Sequence, residues 1–174
     1  KAAFVARSMD RDPKHQQAIF KRAHAHTGTA FVEIYQNCPV FNDGAFSVYT
    51  EKETKLEECL FVEHGKPMIF GKNNEKGIKL DGLKPVIVDV AGGASPNDLW
   101  IHDERDKMKA NILASLFDRA DIQPHNPRPF GVFYVEDRST YEDDLAAQIA
   151  AVKAKKGKTS LDKILSGDKT WVIA

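Results

Sequence analysis

Two cysteines and six histidines are the residues of this chain best suited to soft-metal or acid–base chemistry. Cys38 stands in Asn37-Cys38-Pro39, directly after an apolar run from Ala30 to Tyr35 and before a loop of Asn42, Asp43 and Gly44. A thiolate binds soft metals, and iron–sulfur clusters are held by cysteine. Pro39 removes one backbone donor and stiffens the loop. In open α/β sheets, ligands bind outside the carboxyl ends of the strands. A strand that ends by presenting a cysteine puts it there. The competing reading is a small buried hydrophobe, the common fate of a free cysteine.

The remaining candidates are weaker. Cys59 and His64 could join Cys38 around zinc, but zinc sites use tight ligand pairs such as C-x2-C, and none is present. Cys59 opens an apolar run and is expected in the core, while His64-Gly65 reads as a turn. His24 and His26 flank the end of a helix, where positive charge is favoured. His102-Asp103 precedes a helix and could be an acid–base pair or local capping. Gly157-Lys158-Thr159-Ser160 imitates the end of a phosphate-binding loop, but that pattern needs Gly where Val152 stands. Gly92-Gly93 follows a strand without a G-x-G-x-x-G pattern. Asn42-Asp43-Gly44 is too short for a calcium loop. G-x-S-x-G and H-E-x-x-H are absent from the sequence. Taken alone, these residues specify an α/β protein with one suggestively placed cysteine, and no reaction.

The elements that must position Cys38 can be read in order. Residues 2–7 form a short apolar strand. Asp12-Pro13 is a helix start, with Asp as N-cap and Pro at the first helical position. Ile19, Ala23 and His26, with Phe20 beside them, recur at helical spacing before Thr27-Gly28. The strand 30–36 follows. A helix of about fourteen residues between two strands suits a crossover between parallel neighbours. Residues 41–47 read as a polar loop, and Tyr49 to Glu58 as a charged short helix or coil. From Cys59 to Val90, four apolar runs (CLFVE, PMIFG, GIKL, PVIVDV) are punctuated by turn residues and predict a hairpin-rich layer. Asp103 is expected to cap a helix over 104–119, lined by Met108, Ile112, Leu116 and Phe117. A proline-rich connector, 123–129, leads into the strand FGVFYVE. Ser139 and Glu142 have capping-box spacing, ahead of a helix carrying Tyr141, Leu145, Ile149 and Val152 on one face. Residues 160–165 form a last helical turn.

The 174 residues balance 25 basic against 25 acidic side chains, so no basic excess recruits nucleic acid or an anionic membrane. No apolar run approaches the roughly 20 residues of a membrane helix, and Lys1 to Arg7 lacks the apolar core of a signal peptide. Two cysteines are not a disulfide framework, which favours a reducing, cytoplasmic setting. A chain that opens directly in a strand-like run, without Met, is expected to have lost residues upstream.

TAFVEIYQNCPVFNDGAF closely resembles the β subunit of 2-oxoacid:ferredoxin oxidoreductases. Upstream, FVARSMDRDPKHQQAIFKRAHAHTGTAFVEI resembles the same subunit. HGKPMIFG, KGIKLDG, LWIHDE, RPFGVFYVEDRSTYEDDL and GDKTWVI follow in order. The resemblance spans essentially the whole chain and is strongest to the 2-oxoglutarate type.

This resemblance implies an oxidoreductase subunit that binds thiamine diphosphate, Mg2+ and a [4Fe–4S] cluster. It decarboxylates a 2-oxo acid oxidatively, makes an acyl-CoA and reduces ferredoxin, together with an α subunit. The cofactors carry the hard chemistry and the protein positions them. Cys38 matches the isolated fourth cluster ligand, and Asn37 and Asn42, near the cofactor loop, are expected to bind cofactor. The other three cysteines and the G-D-G…N magnesium–diphosphate motif belong to the family's upstream half and are absent here. The implied fold is the end of a thiamine-diphosphate-binding parallel-sheet domain, residues 1–45, followed by a small α+β C-terminal region with short antiparallel strands, residues 46–174. Such a fragment is expected to be inactive alone and to bind neither cofactor. Two alternatives stand beside it: a structural module, residues 46–174, that docks the partner subunit, and a cluster-free thiamine enzyme with Cys38 merely buried.

Overall fold

The computed structural model describes residues 2–93, 95, 98–116, 126–168 and 170–171. The chain divides into two compact units, Lys1–Arg138 and Ser139–Ala174.

The first unit is built on a four-stranded mixed sheet in the order β2 (Ala30–Tyr35), β1 (Phe4–Met9), β7 (Arg128–Val135), β3 (Cys59–Val62). Strand β1 (Phe4–Met9) leads into helix α1 (Pro13–Ala25), and the chain returns as β2 (Ala30–Tyr35). Asp12 caps α1, its carboxylate accepting from the His15 N–H at 3.1 Å, and Pro13 opens the helix. A proline is tolerated there because its missing N–H would have no helical partner. β1 and β2 pair in parallel, from Phe4 opposite Ala30 to Met9 opposite Tyr35. The strand–helix–strand reading of the first 36 residues is therefore observed.

Strand β3 (Cys59–Val62) departs from expectation. Instead of opening the hairpin layer, it runs parallel to β7 (Arg128–Val135), which pairs antiparallel with β1. Burial explains the choice. Cys59, Leu60 and Val62 are all buried, and only a strand covered on both faces can hold three such residues in four. The hairpin layer consists of β4 (Ile69–Phe70), β5 (Lys76–Asp81) and β6 (Lys84–Asp89) in antiparallel order. Met68, Phe70 and Ile78 from this layer pack with Leu60, Val62, Trp100, Leu113, Leu116 and Phe133 in the largest core cluster. A second cluster joins Ile19 of α1 to Phe4, Ala6 and Val132. A third, Met9, Tyr35, Cys59 and Phe130, lies beneath the loop that carries Cys38.

Gly131, within β7, has φ +130, and a Cβ there would stand 2.5 Å from the Val62 carbonyl oxygen. Only glycine lets β7 approach β3 so closely.

Helices α2 (Ser47–Thr50) and α3 (Lys55–Glu58) are single turns in the charged stretch. Helix α4 spans Lys107–Ala114, and its cap is Asp106, which accepts from Lys109 N–H at 3.0 Å, rather than Asp103. Asp103 instead accepts from Arg105 N–H in a turn. The shift rotates the buried face: Leu113 and Leu116 are buried, Ile112 packs beside them, and Met108 is exposed. Phe117 lies outside the described residues, as do residues 123–125 of the expected connector.

The second unit holds helices α5 (Tyr141–Lys156) and α6 (Leu161–Ser166). The capping box forms one residue later than its expected position: Thr140 and Asp143 exchange hydrogen bonds, the threonine oxygen accepting from Asp143 N–H at 3.1 Å. The carboxylate of Asp143 accepts from Thr140 N–H at 3.2 Å, which satisfies both orphan donors. Among the described residues, no helix is long and apolar enough to cross a membrane.

Candidate functional site: the Cys38 loop

Tyr35, the last residue of β2, anchors the loop from below. Its ring stacks on Phe46 at 4.4 Å and meets Phe130 edge-on at 5.4 Å. The Arg128 guanidinium donates to the Tyr35 hydroxyl at 2.7 Å and to the Tyr49 hydroxyl at 3.0 Å. One cation on β7 thus ties both ends of the segment around Cys38 to the sheet. Burial raises the pKa of the Tyr35 hydroxyl, so it remains a neutral partner. Arg7 supports the same strand from β1: it is buried and donates to the Glu33 carboxylate at 2.6 Å, directly across the ladder.

Above this base, Asn37 ties the loop to itself. Its side-chain amide donates to the Asp43 carboxylate at 2.9 Å, and its carbonyl oxygen accepts from Gly44 N–H at 2.9 Å. Its backbone N–H donates to the Asp10 carboxylate at 3.3 Å. Gly44 has φ +74, a conformation that suits glycine. Asn42 contributes through its backbone, its N–H donating to the Cys38 carbonyl at 2.9 Å.

The turn so formed closes on the Cys38 backbone. Backbone N–H groups of Phe41, Val40 and Asn42 act on the Cys38 thiol, and the first two do most to lower its pKa below the ordinary value. Hydrogen bonding to the charged form favours a thiolate. Cys38 is partly exposed, whereas Cys59 is buried and its thiol is pushed up to about 12 by that burial. The two cysteines thus differ: Cys38 is accessible with a lowered pKa, and Cys59 belongs to the core. A cavity of about 180 Å³ opens beside the loop, lined by Asp10, Arg11, Asn37, Asp43, Gly44 and Phe46, among others. Arg11 is paired there with Glu51 at 2.7 Å.

Of the sequence candidates, Cys38, Asn37 and Asn42 come together in this loop. The zinc grouping does not: among the described residues no three His, Cys, Asp or Glu gather in a metal-binding arrangement. His102 is not one half of an acid–base pair with Asp103. Its ring is 2% exposed and its Nε2 hydrogen-bonds the Val132 carbonyl at 2.7 Å, a structural tie between segments. The Arg128–Tyr35–Tyr49 clamp was not anticipated. Its members lie 79 and 93 residues apart, and no local pattern links them.

No protein-family model matches the chain. It is 33% identical, over 99% of its length, to the 2-oxoglutarate oxidoreductase subunit KorB of Mycobacterium tuberculosis. This chain resembles the β subunits of 2-oxoacid:ferredoxin oxidoreductases. A 2-oxoacid:ferredoxin oxidoreductase β subunit from Saccharolobus solfataricus is 41% identical over 32% of the chain. The chain spans 46% of the first relative's length and 18% of the second's. Among solved structures, 2-oxoglutarate:ferredoxin oxidoreductase from Magnetococcus marinus, with 2-oxoglutarate, coenzyme A and succinyl-CoA bound, matches with a TM-score of 0.54. That match covers 97% of this chain and 41% of the other at 19% identity, so it speaks to fold. The α/β architecture, with one mixed and one antiparallel sheet, agrees with it.

Proposed function

We propose that this chain is the C-terminal part of the β subunit of a 2-oxoacid:ferredoxin oxidoreductase of the 2-oxoglutarate type. In the assembled enzyme, with its α subunit, a 2-oxo acid is decarboxylated oxidatively to an acyl-CoA and ferredoxin receives the electrons. Cys38 is assigned as one ligand of a [4Fe–4S] cluster. The observation that carries this reading is the partly exposed Cys38 at the end of β2, in a loop held closed by Asn37 and anchored through Tyr35 and Arg128, within the stretch that carries the family resemblance. Neighbouring backbone N–H groups lower the Cys38 pKa, which favours the deprotonated form that iron requires.

The donor set fits one corner of such a cluster. Cys38 would hold one iron, and the remaining ligands come from outside the described residues. A cluster there supplies one-electron transfer. The chain's own residues supply position: Asn37 holds the turn closed, Arg128 fixes its base, and neighbouring N–H groups favour the charged sulfur. Thiamine diphosphate and Mg2+ are assigned to the parent subunit rather than to these residues. Asn37 and Asn42 act toward the cofactors by shaping the loop. In this reading residues 1–45 descend from the thiamine-binding domain and residues 46–174 from the C-terminal region. That is a division of sequence and not of packing, because β7 pairs with β1 and β3 pairs with β7. Two free cysteines, Cys38 and Cys59, favour a reducing, cytoplasmic setting for the enzyme.

The test uses the full-length subunit with its partner. Cys38→Ala should lose ferredoxin reduction and cluster absorbance while keeping thiamine-dependent decarboxylation. Wild-type ferredoxin reduction in that variant overturns the ligand assignment. Anaerobic reconstitution of the 174-residue chain alone should give no stable cluster band.

A further inference from the structure

Between Tyr35 and Phe46 every residue is exposed except Cys38, which is partly buried. Burial therefore does little to fix this loop, and its shape depends on its own hydrogen bonds and on its two anchors. One anchor is Tyr35, 5% exposed, and the other is the turn from Phe46 to Tyr49. The Tyr35 ring stacks on Phe46 and stands 6.0 Å from the ring of Tyr49. Arg128 spans both anchors. Its two terminal nitrogens donate to the two phenol oxygens, and its guanidinium carbon lies 5.5 and 5.0 Å from the two ring centres. Tyr49 has a second tie, because its backbone carbonyl accepts from the Cys59 thiol at 3.4 Å. Arg128 and Cys59 stand opposite each other where β7 and β3 pair. One rung of that ladder thus carries the floor of the loop, and both of its residues lie far from Cys38 in sequence. A guanidinium suits the task because its N–H groups leave in a rigid planar fork.

We propose that Arg128 is a positioning residue for iron at Cys38: by forking between Tyr35 and Tyr49 it holds the loop in the shape that keeps the sulfur on a cluster. The inference rests on the proposed function, in which Cys38 is a cluster ligand. It goes further by placing control of that ligand on β7, through two phenols, and by making the fork rather than the charge the working feature. A lysine in place of Arg128 keeps the charge but offers one point donor, which cannot serve both hydroxyls in a fixed geometry. The loop then opens more often, and iron at this corner is held less firmly. Sheet pairing is spared, because the β3–β7 and β1–β7 ladders are made by backbone groups.

The experiment uses the full-length β subunit assembled with its α subunit and kept anaerobic. Arg128→Lys is compared with the unsubstituted enzyme and with Arg105→Lys, a change in the exposed Arg105–Asp137 pair. Three quantities are read: amide exchange, iron release to bathophenanthroline disulfonate, and the EPR spectrum of the dithionite-reduced enzyme. In Arg128→Lys the segment 36–46, closed by the Asn42 and Gly44 N–H groups, should exchange at least about tenfold faster, while the β1–β2 ladder keeps its rate. Iron should leave at least about tenfold faster, and the EPR signal should broaden as the loop takes several shapes. Arg105→Lys should change none of the three. Tyr35→Phe combined with Tyr49→Phe removes only the two acceptor oxygens and should reproduce the loop and iron effects, so the test stays decisive if Arg128→Lys fails to assemble. Unchanged exchange over 36–46 overturns the proposal. A loosened loop with ordinary iron release and EPR also overturns it, as does faster exchange of β1–β2 and loop together, the mark of a merely structural arginine. Cys38→Ala, measured alongside, separates the two readings. A cluster retained in Cys38→Ala removes the ligand assignment and this inference with it. A cluster lost in Cys38→Ala but unaltered in Arg128→Lys leaves that assignment standing and removes this one.

Discussion

Arg22 on α1 and Glu104 hold each other through two parallel hydrogen bonds of 2.8 and 2.6 Å across 82 residues of sequence. Glu104 is buried and Arg22 stands half in solvent. The pairing raises the Arg22 pKa, and the same carboxylate-bearing residue receives Val135 N–H on its backbone carbonyl at 2.7 Å. The pair therefore links the crossover helix to the end of β7.

Removing the cation leaves a buried carboxylate without its partner. Breaking a fully buried pair costs about 3–5 kcal/mol, and the exposure of Arg22 reduces this, so Arg22→Ala should destabilise by about 1–3 kcal/mol. Arg22→Ala combined with Glu104→Gln should recover part of the loss. Urea unfolding midpoints of the three proteins check both statements.

Gly131→Ala should be more damaging than any surface glycine change. The new Cβ would meet the Val62 carbonyl oxygen at 2.5 Å and the Val62 side chain at 2.8 Å, with φ fixed at +130. Overpacking and left-handed backbone together suggest about 3 kcal/mol or more. Gly157→Ala, with nothing near its Cβ, is the comparison. Thermal midpoints of the two variants measure the difference.

The histidines make stability fall toward acid. Burial lowers the pKa of His102 in the folded chain, and burial does the same for His15. The unfolded chain then binds each proton at a higher pH than the folded one. The stability tied to the neutral rings is complete above the unfolded value of about 6.5 and is lost as pH falls through it toward the folded value. Between about pH 7.5 and 5.5 the unfolding free energy should decline, and His102→Gln should flatten that decline. A variant with an unchanged slope would remove His102 from the account.

Thiol chemistry should separate the two cysteines. At pH 8 a thiol with a pKa near 12 is about one part in ten thousand thiolate, so Cys38 should alkylate at least about a hundredfold faster than Cys59. Peptide mapping after brief iodoacetamide treatment gives the ratio.

The local features were legible in sequence because they depend on neighbours in the chain. Asp12-Pro13 announces α1, and Ala30 to Tyr35 announces a strand that delivers Cys38. Caps slipped where two candidates stood close together. Asp103 and Asp106 both precede α4, and Ser139 and Thr140 both precede α5, and composition does not choose between them. The partner of β3 was illegible for another reason. CLFV is apolar enough for either sheet, and its neighbour, beginning at Arg128, lies across the whole hairpin layer. The same distance hid Arg128 as the cation beneath the cysteine loop.

The place of β7 also sets the order in which this molecule can be made. It sits between β1 and β3, yet it is the last of the four strands to be synthesised. Until residues 128–135 leave the ribosome, β1 has a neighbour on one side only and β3 has none. Phe4 and Leu60, fully buried at the end, must wait in the nascent chain without their cover. Sheets closed by a late central strand are slow to form and expose apolar surface while they wait. The clamp that Arg128 places under the Cys38 loop arrives with that same strand. The growing chain consequently displays its cysteine long before it can hold it in shape.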